Sequence, residues 1–98
     1  MKQISAKEVA TKLQNGEKLN IIDVREVSEV AQGKISSAVN IPLGLLEFRL
    51  NELNKNTEYV VVCHSGGRSS MATNMLESYG FNATNMTGGM LAWEGPIE

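Results

Sequence analysis

One cysteine and one histidine occur in the chain, side by side as Cys63 and His64 in the segment Val60-Val61-Val62-Cys63-His64-Ser65-Gly66-Gly67-Arg68-Ser69-Ser70. An apolar, β-branched run stops at the sulfur, two adjacent glycines follow, and a helical pattern begins near Ser69. Glycine tolerates left-handed backbone, so the segment can curl around the sulfur with its N–H groups turned inward as an anion-binding nest. The following helix adds free N–H groups and its positive dipole end, and Arg68 places a permanent cation at the same mouth. Such surroundings favour thiolate over thiol, and the thiolate is the nucleophile. A persulfide, also anionic, would be stabilised in the same way. The simpler reading of a lone cysteine is a small buried hydrophobe at the end of a core strand. That reading leaves the convergence of glycines, cation and helix start unexplained, and the reactive reading is preferred.

Other residues near the sulfur carry weaker signals. His64 suggests a Cys–His ion pair, but neighbours in a curled loop point apart and triad partners come from elsewhere in a chain, so a rim position is the expectation. Ser65 is placed either to donate to the sulfur or simply to serve the turn. Asp23 and Arg25 end an earlier strand close to the expected site. Asp23 is expected to anchor the reactive loop by accepting from its backbone or from Arg68, and Arg25 to pair with Glu29 four residues on. Both are read as scaffolding. One cysteine excludes an internal disulfide, and two adjacent Cys/His residues are too few for a structural zinc site.

The elements that must hold these residues alternate in kind. Ser5-Ala6-Lys7-Glu8 has the form of a capping box, followed by Val9 and Leu13 at helical spacing and Gly16 as a stop. Ile21–Val24 reads as a buried strand, 26–32 as one or two helical turns, and 38–41 as a strand ended by Pro42. Leu43, Leu46, Leu50 and Leu53 predict an amphipathic helix over 43–53. Tyr59–Val62 is the clearest strand. A helix over 69–79 is expected to turn Met71, Met75 and Leu76 inward, and 81–86 to contain a short strand. A last turn after Gly88-Gly89 carries Leu91 and Trp93, the latter as a core anchor. Strands apolar on both faces and alternating with helices predict an α/β domain with a parallel sheet covered on two sides, its reactive site beyond the carboxyl ends of the strands.

The bulk properties narrow the function. At 98 residues one domain over 1–98 is expected. A net charge of −2 provides no basic excess for nucleic acid. No apolar run approaches a membrane span, and the first residues lack a signal-peptide core, so a cytoplasmic location without membrane association is expected.

Taken together, Ile22-Asp23-Val24-Arg25-Glu26, Glu29 with Gly33-Lys34-Ile35, Ala38-Val39-Asn40-Ile41-Pro42, Cys63-His64-Ser65-Gly66-Gly67-Arg68-Ser69 and Gly88-Gly89-Met90-Leu91-Ala92-Trp93 resemble the rhodanese-like single-domain sulfurtransferases. The likeness spans nearly the whole chain and rests on the order and spacing of these segments. It implies a small α/β fold with a parallel sheet of about five strands. It also implies Cys63 as nucleophile, residues 63–68 as the active-site loop, and Arg68 as the residue that closes the loop and helps bind an anionic donor. Sulfane sulfur would pass from thiosulfate, a persulfide or a polysulfide to Cys63, then to a thiol, cyanide or a protein acceptor, with no metal or organic cofactor. Lys34 stands where histidine is common in the family, Ser36-Ser37 replaces a glycine-containing turn, and Val30 an aromatic residue; these touch the rim of the site. Two alternatives remain: a noncatalytic or sulfur-carrier module serving a partner protein, and a Cys-dependent phosphatase or arsenate reductase. The second is disfavoured because Cys-x5-Arg would need arginine at position 69, where Ser69 stands.

Overall fold

The computed structural model describes residues 1–98 and contains a five-stranded, wholly parallel sheet in the order β1-β5-β4-β2-β3. The strands are β1 (Lys2–Ser5), β2 (Asn20–Asp23), β3 (Val39–Asn40), β4 (Glu58–Val62) and β5 (Asn82–Thr87). The helices are α1 (Ala6–Gln14), α2 (Val27–Val30), α3 (Leu43–Leu46) and α4 (Gly67–Ser78), with 3₁₀ helices at Glu47–Glu52 and Gly89–Ala92. Because every strand runs the same way, all carboxyl ends gather on one edge, and Asp23 and the residue after Val62 meet there.

Side-chain alternation along β4 divides the core in two. Val60 and Val62 face one side, where Ala6 and Val9 of α1 pack with Ile21, Ile35, Ala38 and Met86. Tyr59 and Val61 face the other, against Leu46, Ala72 and Leu76 of α3 and α4. Cys63 continues the odd-numbered series and shares this second face. The period of two therefore delivers the sulfur beneath α4, whose N-terminus starts four residues later.

Local chemistry accounts for most element ends. Ser5 caps α1 in the expected box, its hydroxyl accepting from the Glu8 amide at 3.0 Å and the Glu8 carboxylate from the Ser5 amide at 3.2 Å. The strand expected over 38–41 is shorter, two residues before Pro42. The helix expected over 43–53 divides: α3 ends at Leu46, a 3₁₀ segment follows, and Arg49 leaves helical geometry at φ −120°. Its leucines still face the core, Leu46 wholly buried and Leu43, Leu50 and Leu53 packed against the cluster. In α4 the inward stripe is Ser69, Ala72, Thr73 and Leu76, and Met71 is 61% exposed, contrary to its expected inward place. At helical spacing Met71 falls on the face opposite Ser69, Ala72, Thr73 and Leu76, so it points away from the sheet while Leu76 enters the core. Trp93 is half-buried; it packs on the α1-side cluster and donates its indole N–H to the Pro96 carbonyl.

Candidate active site

Residues 63–66 form a turn whose fold depends on Gly66, at φ +114° in the region that favours glycine, immediately before α4. The turn brings the Gly66 amide to 2.9 Å from Cys63 Sγ. The Ser69 hydroxyl, on the first turn of α4, lies 3.2 Å from the same sulfur. Burial by itself pushes the Cys63 thiol up. The Ser69 hydroxyl and the backbone N–H groups of Ser69, Gly66 and Ser65 outweigh it, and the thiol titrates below its ordinary value. Cys63 is 1% exposed, its inner side against the α4-facing core and its outer side ringed by these donors. Depth alone would make it inert; the inward-facing N–H groups make it an ionisable sulfur in a fitted cradle.

The cradle is braced from three directions. The Gly66 carbonyl accepts from the Ser69 and Ser70 hydroxyls and from the Ser70 amide, and buried Asn85 on β5 donates to the Ser70 hydroxyl at 3.1 Å. Behind the loop, the amides of Met90 and Leu91 donate to the carbonyls of Cys63 and His64 at 2.8 and 2.9 Å. That approach requires Gly89, at φ +57°, since a Cβ there would lie 2.4 Å from the His64 carbonyl oxygen. From the β2 end, Asp23 accepts from the Arg25 amide at 3.0 Å and from its guanidinium at 2.8–3.1 Å; both residues are buried. Arg25 also donates to the Gly33 carbonyl at 2.8 Å, which ties down the segment around α2.

Several expected pairings differ. Asp23 serves Arg25, not Arg68 or the loop backbone, because the two side chains are close enough on one strand end to close a fork. Arg25 reaches the Glu29 backbone carbonyl at 3.4 Å, not its carboxylate. That carboxylate instead binds Arg68 bidentately, at 2.6 and 2.8 Å. The Arg68 hydrogen bonds, helped by the Glu26 amide and opposed by burial, hold the Glu29 carboxyl at about 2. His64 and Ser65 are exposed; the His64 imidazole and the Ser65 hydroxyl lie outside the sulfur's hydrogen bonds, and Ser65 acts through its amide. Gly67 opens α4 without left-handed strain. Sequence reasoning assigned no role to Asn85, Gly89 or the Glu29 carboxylate at the loop. The paired Gly88-Gly89 was the one visible hint, since a lone loop needs no second glycine pair far along the chain.

A parallel α/β sheet with a glycine-containing turn between its central strand and the next helix, wrapped around a single cysteine, defines the class of the domain. The chain belongs to the rhodanese-like domain family, whose model matches residues 5–96. It is 43% identical over 95 residues to a putative sulfurtransferase, YtwF, of Bacillus subtilis, covering 97% of this chain and 92% of that protein. It is also 43% identical to the putative sulfur carrier protein YrkF of the same organism, where it spans 52% of the longer protein. Among solved structures, a rhodanese-like domain protein from Staphylococcus aureus superposes with a TM-score of 0.94 at 39% identity, covering 100% of this chain and 97% of that one.

Proposed function

We propose that the chain is a rhodanese-type sulfurtransferase in which Cys63 is the nucleophile and residues 63–68 form the active-site loop. The observation that carries this reading is the ring of N–H and O–H donors from Ser65, Gly66 and Ser69 around a single sulfur at the mouth of α4. The Cys63 thiolate attacks the outer sulfur of thiosulfate, a persulfide or a polysulfide. A new S–S bond forms to Cys63, the donor's S–S bond breaks, and sulfite or a thiolate leaves with the electron pair. A thiolate or cyanide then attacks the outer sulfur of the Cys63 persulfide, and the Cys63 thiolate is restored. Two half-reactions through one covalent intermediate give ping-pong kinetics. The chemistry needs neither metal nor organic cofactor. Asp23 and Arg25 act as scaffold, setting α2 against the loop.

The likeness to a putative sulfur carrier favours one variant of this reading: a domain that is loaded with sulfur and delivers it to a partner protein rather than to small acceptors. No helix is long and apolar enough to cross a membrane. Incubation with thiosulfate or a small persulfide, followed by intact-mass measurement, tests the proposal. The expected result is a gain of one sulfur atom, removed by cyanide and absent in Cys63→Ser, which retains the wild-type melting temperature. Gain without turnover to small acceptors supports the carrier variant. No gain from either donor rejects sulfur transfer, and hydrolysis of an aryl phosphate lost in Cys63→Ser would assign a phosphatase instead.

A further inference from the structure

The cation expected to meet an anionic donor is already occupied. Arg68 is the charged residue of the loop, and both of its terminal nitrogens are bound to the two oxygens of Glu29. A neighbouring cleft of about 320 Å³ is lined by Glu29, Arg25, His64 and Leu91, and Arg68 does not reach it. The other cations of the surrounding segments are engaged as well. Arg25 is committed to Asp23, and the Lys34 ammonium is within 3.4 Å of the carbonyls of Ile35, Ser36 and Ala38. A second carboxylate, Glu26, acts on Arg68 through space, as does the Cys63 sulfur itself. Around the loop three cations, Arg25, Arg68 and Lys34, are set against three carboxylates, Asp23, Glu29 and Glu26, and the guanidinium of Arg68 is not free for an incoming anion.

We propose that Glu29 is a specificity-determining residue: by clamping Arg68 it withholds the loop cation from dianionic donors such as thiosulfate and leaves the site suited to monoanionic persulfides. This substrate preference rests on the sulfur-transfer reading above; the electrostatic control of the Cys63 mouth by Glu29 does not. The pair is specific in geometry, since a bidentate carboxylate satisfies the planar fork that would otherwise grip sulfonate oxygens. Glu29 is also the N3 residue of α2, its carboxylate accepting from the Glu26 amide at 3.0 Å. Glutamine can keep both that cap and one bond to Arg68 while losing the charge.

The test uses Glu29→Gln, with Glu26→Gln as the control for a nearby carboxylate that does not bind Arg68. Cys63 is alkylated with iodoacetate or with iodoacetamide, and the two rates are followed by intact mass. In each the thiolate forms an S–C bond and iodide leaves with the electron pair, so the reagents differ chiefly in one negative charge. Their rate ratio cancels differences in access to the buried sulfur. Removing one partly screened charge should raise the iodoacetate-to-iodoacetamide ratio about fivefold in Glu29→Gln. The ratio should change by less than about twofold in Glu26→Gln. The KM for thiosulfate should fall about fivefold in Glu29→Gln, with kcat and the persulfide KM within about twofold of wild type. An unchanged ratio in Glu29→Gln, or an equal rise in Glu26→Gln, overturns the proposal. A raised ratio with an unaltered thiosulfate KM overturns the substrate preference. If neither donor loads Cys63, sulfur transfer fails, and the alkylation ratio still decides whether Glu29 governs the mouth.

Discussion

Ser69 gives the sharpest test of how the sulfur is ionised. Its hydroxyl is fully buried, 3.2 Å from Cys63 Sγ and 3.1 Å from the Gly66 carbonyl oxygen, so one proton faces two acceptors. Beside a thiol, the S–H donates to Ser69 Oγ and the hydroxyl donates to the carbonyl. Beside a thiolate, the hydroxyl turns to the sulfur. Loss of the Cys63 proton is thereby coupled to rotation of this one group. A hydrogen bond to a charged acceptor is worth about 1.5–3 kcal/mol and a neutral one about 1 kcal/mol. The difference that Ser69→Ala removes is thus about 0.5–2 kcal/mol, or roughly one pKa unit. The assay is the pH dependence of iodoacetamide alkylation of Cys63. The midpoint should rise by about one unit, the rate well below it should fall about tenfold, and the high-pH plateau should hold within about twofold. The Gly66 carbonyl keeps two donors from Ser70, so the melting temperature should shift by only a few degrees. An unmoved or lowered midpoint would refute the assignment, and a reduced plateau at constant midpoint would mean altered access instead.

Further outcomes follow from the braces around the loop. Gly89→Ala combines a left-handed backbone with a 2.4 Å approach to the His64 carbonyl and should cost about 2–5 kcal/mol, measured by urea unfolding. Gly16→Ala, at φ +84° with open space around it, should cost only about 1–2 kcal/mol; equal losses would deny Gly89 its role as the clamp. Asp23→Ala leaves Arg25 buried without its counter-charge and should destabilise by about 3–5 kcal/mol, and a loss under 1 kcal/mol would show that the pair is not a scaffold. The Glu29 carboxyl is depressed from 4.5 to about 2, so the stability its ion pair contributes is present above pH 4.5 and fades as pH falls toward 2. The melting-temperature gap between wild type and Glu29→Gln should therefore close over that range, and a gap constant down to pH 2 contradicts the sign.

Residues 59–70 announced a strand, a turn and a helix without help from the rest of the chain. Their signals are local: β-branched side chains for β4, a glycine for the left-handed turn, and the start of a helical pattern after it. Odd-even alternation along β4 even selected the face on which Cys63 lies. The capping box at Ser5 and the leucine stripe from 43 to 53 were legible on the same grounds, although the helix in the latter breaks at Arg49. β1 was not legible, because Lys2–Ser5 is polar, sits at the sheet edge and becomes a strand through its ladder to β5. Met71 was expected inward with Met75 and Leu76, but the face of α4 that meets the sheet is chosen by packing and runs through Ser69, Ala72, Thr73 and Leu76, which leaves Met71 outside.

The pairings between distant residues belong wholly to the folded chain. Glu29 and Arg68 are 39 positions apart, and either Asp23 or a bound anion was as good a partner for that arginine until α2 was set against the loop. The Gly89 clamp and the Asn85 brace arise because β5 lies beside β4 and the chain then doubles back behind the reactive turn. Side-chain period and turn chemistry act over a few residues and can be read in order. Which charges cancel at the mouth of α4 is decided by packing, because a carboxylate neutralises whichever cation the fold brings within hydrogen-bond reach.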